Sequence, residues 1–510
     1  MKRILLVASF VAALGSALAF SGGTAHATLV AARATATPSP TPAPLPTASP
    51  EPPQIAIPRL QARLKANPND RDAMIELAGQ FIGLGSPQAA QAALQLTQHV
   101  MQLGTKTAQV YFLDGAAQQA TGNLRAATAD LEAASNLEPT NLAILNQLAQ
   151  LYLRSTPPRF ADAERIANRA VTFNKTEPSA YTALGMVLGA EQKWDDARKQ
   201  FDQAYTLDTK DINPLIQDAQ TWVAQNTLPN ALTAIDRAIA ADPKNVRALV
   251  FRAGILAKQN NIPGSAQAFD DAVAAGTNDY EKATIIVQKA LMYSTAKQPG
   301  QAQAVFEAAF RQYPAISSLH TAYGEYWMAN RQPGRAEQQF TQAIRIDKTD
   351  TSALIDLAQL KMGQNKPAEA ARYLKQLADA APSAQTFALL GQAYVSSHQY
   401  VAARLACAQS FQMARNPDTL ACIAGSDYST KHYKEAAQLF NILDTQLKNY
   451  TSQHPDYLYM MGVSFEQTKQ PAKACSAFSR LLKMMKQGTK EYKQLQAKAA
   501  ADCKPATKKH

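Results

Sequence analysis

Histidine and cysteine are the side chains here best suited to metal binding or covalent chemistry, and their spacing limits what they can do. His99, His320, His398, His432 and His454 are scattered along the chain. His398 and His432 stand one structural period apart, near loops, so their imidazoles could approach each other. Neither has a third residue of ligand type beside it, and even a catalytic zinc takes three protein ligands. Surface-loop histidines are the simpler reading. No G-x-S-x-G, H-E-x-x-H or P-loop pattern occurs. The carboxylates are spread over helix faces, where solvation accounts for them. The expectation is a chain that is not an enzyme, with no catalytic residue, metal or cofactor.

The residues that do recur at fixed spacing are mostly apolar. One unit contains Tyr181, Leu184, Gly185, Leu188, Trp194, Ala197, Phe201 and Ala204; the next contains Leu215, Asp218, Ala219, Trp222, Leu228, Ala231, Ile235 and Ala238. Comparable units follow one another from about residue 59 to about 488, with a period of about 34 residues. Each carries two apolar stripes at helical spacing and cannot bury them alone, so the units must stack. Small residues (Ala78, Gly115, Ala149, Gly185, Gly324, Gly391, Gly462) recur where two helices have to cross closely. Large ones (Phe201, Phe269, Phe306, Phe340, Phe440, Phe478) fill the gap to the next unit, each contributing roughly 1.5–3 kcal/mol when buried. Pro139, Pro243, Pro314 and Pro382 should stop second helices. No alternating apolar segment competes as a strand.

This pattern resembles the tetratricopeptide repeat family. The family signature is a large residue, then Leu-Gly or Leu-Ala, then an aromatic, followed in the second helix by Ala, a large apolar residue, Ala and a closing Pro. It is carried well by Tyr111, Gly115, Ala127, Leu131, Ala134 and Pro139, by Ile286, Ala290, Tyr293, Ala302, Phe306, Ala309 and Pro314, and by Tyr323, Gly324, Trp327, Ala336, Phe340 and Ala343. Later units show Leu390, Gly391, Tyr394 and Ala403, then Met461, Gly462, Phe465, Ala474 and Phe478. The closing Pro is absent from several units, and the unit around Phe160 to Phe173 carries an insertion. The resemblance implies an all-α, right-handed superhelical solenoid of about twelve helix-turn-helix repeats over residues 59–488.

In relatives the concave face is lined by first-helix residues. Carried over by repeat position, these are Asn146, Gln150, Arg154, Gln217, Gln220, Arg247, Glu325, Gln359 and Gln392, among apolar Ile75, Phe112, Met186, Val250, Ile355 and Met362. Amides can donate to and accept from a peptide backbone without demanding a charge. The Lys and Asn pairing with which some relatives clamp a C-terminal carboxylate is missing at the matching positions. The expected partner is a protein or peptide.

Charge and the chain ends add compartment and further partners. The formal net charge is +11, but nine Lys or Arg between Arg480 and His510 face only Glu491 and Asp502, and Lys2 and Arg3 lie in the leader. The repeats are close to neutral, which excludes a basic nucleic-acid surface. Residues 489–510 should form a capping helix and basic tail, which either attracts an anionic envelope surface or keeps the last repeat soluble. Residues 1–27 read as a secretory signal. Lys2 and Arg3 precede an apolar run from Ile4 to Phe20, with cleavage sites at Ala25-His26-Ala27 or Ala17-Leu18-Ala19. An uncleaved run would tether the chain to a membrane. Residues 28–58, with alternating Pro38, Pro40, Pro42, Pro44 and Pro46, suit an extended linker, either a spacer or a tail left by cleavage.

Cys407, Cys422, Cys475 and Cys503 occupy the last quarter of the chain. An even number in an exported chain suggests disulfides. Cys407 falls on a second helix and Cys422 on the following first helix, which pack together in this architecture, giving 407–422 and 475–503. The alternative is that Cys407 and Cys422 are small buried thiols. The resulting expectation is a periplasmic or extracellular scaffold that binds protein. A binding module for export or assembly of an anionic polysaccharide is the second reading.

Overall fold

The computed structural model describes residues 51–446 and 450–503. The leader (1–27) and the linker as far as residue 50 lie outside the described residues. The end of the stretch read as linker is helical, which corrects the boundary at 58. The first helix spans Pro53–Ala66. A proline in its first turn has a fixed φ that already suits a helix. Ala56 and Leu60, one turn apart, are fully buried against Ala73 and Leu77, so an apolar pair anchors what composition alone reads as extended.

Antiparallel helical hairpins follow, and no strand occurs among the described residues. Arg71–Gly83 pairs with Pro87–Gln102, Ala108–Ala120 with Leu124–Leu137, Leu142–Arg154 with Phe160–Phe173, and Pro178–Ala190 with Trp194–Leu207. The order continues in the same way to Pro455–Gln467 with Pro471–Met484, and Lys490–Asp502 closes it. Asp70, Thr107, Asn141, Asn245 and Asp350 each accept a backbone N–H at a helix start, which satisfies donors that have no partner inside the helix. Second helices end at Leu137, Ala241, Gln312 and Ala380, two residues before the prolines that forbid continuation.

The turns inside the hairpins share one device. Gly85, Gly122, Gln192, Asn226, Asn260, Lys297, Arg331, Asn365, His398, Lys431 and Lys469 all adopt left-handed backbone. Around His398, the His398 N–H reaches Val395 O at 3.0 Å and the Gln399 N–H reaches Tyr394 O at 2.8 Å, which closes the first helix in a Schellman motif. The Leu142–Phe173 hairpin departs from this, as its insertion suggests. Its turn contains a cis Thr156–Pro157 bond, and Arg159, stacked 4.2 Å over Tyr152, holds Glu132 and Asp162.

Close crossing explains the small-residue row. A Cβ added at Gly185 would stand 2.5 Å from Phe201 Cε1, and one at Gly324 or Gly462 would overlap the ring of Phe340 or Phe478. Phe201, Phe306, Phe340, Phe440 and Phe478 are among the largest fully buried side chains. At Gly391 the atom in the way is Cys407 Sγ instead.

The described chain divides into two compact units. The N-terminal one runs to Ile285 and includes Met292–Gln298. The C-terminal one comprises Ile286–Leu291 and the chain from Pro299 onward. The N-terminal cores are built mainly from Ala, Leu and Ile, with single aromatics such as Phe112, Tyr152 and Phe201. The C-terminal unit holds an aromatic cluster in which Phe306 stacks on Tyr323 at 4.7 Å and Phe310 on His320 at 4.3 Å.

Candidate functional site

Within each unit several first helices of neighbouring hairpins touch one another, as Leu142–Arg154 does with Pro178–Ala190 and Thr351–Gly363 with Ser317–Ala329. Where they touch, first helices line a shared face. In the N-terminal unit it carries Asn146, Gln150 and Arg154, spaced four apart and so on one side of their helix. Asn146 and Gln150 are part-buried and Arg154 is exposed. The Asn146 amide donates to Ser179 O at 3.3 Å on the next first helix, so its side chain is already ordered. Further along, Gln220 is part-buried, and Arg247 donates to Asn213 Oδ1 at 3.1 Å. Burial holds the Arg247 guanidinium below its usual pKa.

Gln217 belongs elsewhere. It is only 9% exposed, one residue beyond Ile216 in the register that places Asn146 on the face. One helical residue turns a side chain by about 100°, enough to move Gln217 from the surface into the packing between helices. In the C-terminal unit Gln359 is exposed, and Glu325 and Gln392 are part-buried. Of the apolar residues interspersed among them, Phe112 is buried, while Ile75, Met186, Val250, Ile355 and Met362 remain partly accessible.

The histidines stay local. His398 Nδ1 lies 2.9 Å from Tyr400 Oη and His432 Nδ1 2.9 Å from Thr430 Oγ1. Among the described residues no group of three or more His, Cys, Asp or Glu is placed to hold a metal. The cysteines are paired as Cys407–Cys422, with Cα atoms 6.2 Å apart, and Cys475–Cys503, 5.1 Å apart. No helix among the described residues is long and apolar enough to cross a membrane.

Several ionisable groups inside the stack escaped sequence reasoning. Asp114, 3% exposed, accepts from Thr97 Oγ1 and shares a hydrogen bond with Asp130. Burial first, and then the neighbouring carboxylate, push Asp130 up to about 7. Asp218, 7% exposed, is raised to about 6 by burial and then by Asp202. Lys361 is buried between Glu337 at 2.6 Å and Glu369 at 2.9 Å, and its hydrogen bond to Glu337 is the main cause of its raised pKa. Asp427 accepts from Arg404 Nε at 2.5 Å. A signal for two of these was present: Asp114 and Asp218 stand at the repeat position where other units have Leu77, Leu148 and Leu184.

Family models described as tetratricopeptide repeat match residues 219–280 and 288–351, and a second such model matches 328–393. These segments have the same hairpin and the same left-handed turn as most of the described hairpins. The chain contains tetratricopeptide repeats. No curated protein matches it in sequence. This tetratricopeptide repeat protein is similar to several solved structures. For yeast Tom70 the identity is 16%, with 74% of this chain and 92% of that chain covered and a TM-score of 0.36. For PilF of Pseudomonas aeruginosa the identity is 19%, the coverage 44% and 100%, and the TM-score 0.32. For the C-terminal part of a repeat protein from Cytophaga hutchinsonii the identity is 21%, the coverage 50% and 98%, and the TM-score 0.35.

Proposed function

We propose that this repeat protein is a non-catalytic scaffold, exported to the periplasm or beyond, that holds a protein or peptide partner on its first-helix faces. The observation that carries the reading is the side formed by Asn146, Gln150 and Arg154, next to an ordered Asn146–Ser179 contact. Amide and hydroxyl groups at a near-neutral surface suit a peptide backbone. They favour protein over an anionic polysaccharide, which would call for a basic face. Two disulfides in the last repeats support an oxidising compartment, as does the charged and apolar leader at 1–27.

The test is site-specific photocrosslinking in the source cells. A benzophenone amino acid placed at Gln150, Gln220 or Gln359 should yield discrete adducts, and one placed on the second helix at Gln203 should not. Adducts from Gln203 alone, or equal labelling at all four positions, would reject the first-helix face. Export is read separately from the mass of the mature chain. A polypeptide beginning at Thr28 fits cleavage after Ala27, whereas an intact leader on a soluble cytosolic chain contradicts export.

A further inference from the structure

The last helix presents a surface that the partner-binding reading does not use. Lys483, Lys486, Lys490 and Lys493 gather around the turn between Pro471–Met484 and Lys490–Asp502, and all four are exposed. None of them forms an ion pair among the described residues, and Glu491 is the one acid between Lys483 and Lys498. Some cations elsewhere are paired. Lys193, Lys199 and Lys361 pair with acids, and within this same region Arg480 pairs with Asp444 and Lys498 with Glu466. What sets this turn apart is four unpaired lysines within residues 483–493 with Glu491 as the one acid among them.

Three features narrow the partner. Met484 is 46% exposed between Lys483 and Lys486, so apolar surface lies inside the cationic cluster. A shallow depression of about 490 Å³ is lined by Gly488, Lys490, Lys493, Gln494 and Ala497, so two of the lysines border it. The platform is also fixed. Leu495 and Ala499 are buried in the C-terminal core, and Cys475–Cys503 ties the far end of the helix to its neighbour. A dissolved polyanion would use the charge but not the methionine. The surface of a bilayer uses both, with ammonium groups on headgroup phosphates and a thioether at the acyl boundary.

We propose that this lysine-ringed turn docks the protein on an anionic phospholipid surface. The test is co-sedimentation of the full mature chain with vesicles of phosphatidylglycerol in phosphatidylcholine, against pure phosphatidylcholine, at low and high salt. Binding should require phosphatidylglycerol and weaken with salt. It should fall about tenfold or more when the four lysines are replaced together by Gln, with circular dichroism unchanged. Met484→Ser should weaken it less, by about two- to fivefold. Equal sedimentation with pure phosphatidylcholine, no sedimentation at all, or full retention by the four-lysine variant would overturn the proposal. Binding to a soluble polyuronate but not to vesicles would also overturn it. Crosslinking at Gln150 is independent of these outcomes, so either result can fail alone.

Discussion

Two hairpins of the C-terminal unit meet the same packing demand by different means. In Ser317–Ala329 with Pro333–Ile346, Gly324 lies directly beneath the ring of Phe340. In Ala384–Ser396 with Tyr400–Met413, Gly391 lies beneath Cys407, whose sulfur continues into Cys422 on the following first helix. The glycine is needed in both, because no Cβ fits. One hairpin is held to its surroundings by dispersion and burial of an aromatic ring, the other by a covalent bond of smaller volume. The repeat therefore specifies a small-over-large crossing, and the large partner can be replaced if a cross-link makes up for the lost contact.

Breaking the aromatic version should cost the most. Phe340→Ala leaves a ring-sized void and is expected to destabilise the C-terminal unit by about 3–5 kcal/mol, read from denaturant melts. Removing the covalent version by Cys407→Ser with Cys422→Ser should cost about 3 kcal/mol, the value for a loop of this length, with a separation of 15 residues. The comparison sharpens if Cys407→Phe is combined with Cys422→Ala. A ring should then regain part of that loss, roughly 1–2 kcal/mol, and a result no better than the Ser pair would show that the two hairpins are not equivalent.

Smaller effects separate glycines that are needed from those that are not. Gly324→Ala should cost about 1–3 kcal/mol by overfilling. Gly254, inside Val246–Lys258 with nothing within 4 Å of an added Cβ, should tolerate Ala and gain about 0.5–1 kcal/mol. Thermal melts of the two variants must move in opposite directions.

The smallest expected effect is a contrast in pH dependence. Asp130 titrates near 3.8 when unfolded and at about 7 when folded. Unfolding therefore releases a proton between those values, and stability of the N-terminal unit, full below about 4, falls as pH rises to about 7. His320 behaves in the reverse sense. Burial against Phe310 lowers its pKa below 6.5, so its contribution is complete above 6.5 and is lost as the pH drops beneath it. Melts of Asp130→Asn and His320→Gln at pH 5 and 8 should each flatten one of these slopes.

Much of this was legible because a period exposes register. The small-residue row and the cysteine pairing at 407–422 follow from counting along the unit, whereas Phe201 and Phe340, expected to fill the gap to the next unit, pack on Gly185 and Gly324 of their own hairpins. Residues whose role depends on the element across from them were not legible. Gln217 and Asn146 differ by one position in the unit, and only the packed neighbours reveal that one faces inward. Asp114 and Asp130 lie on different helices, and their shared proton needs both to be placed. His398 read as a surface-loop histidine, and the structure places it at a left-handed helix stop. The helix at Pro53–Ala66 was hidden by prolines that begin helices as readily as they interrupt them.

Hydrogen–deuterium exchange of the oxidised and reduced mature chain, resolved by hairpin, addresses the comparison most directly. The covalent account predicts that reduction raises exchange in residues 384–503 and leaves 71–275, which contains no cysteine, and the Gly324–Phe340 hairpin protected. Equal protection of 384–503 in both states would contradict it, as would loss of protection along the whole stack.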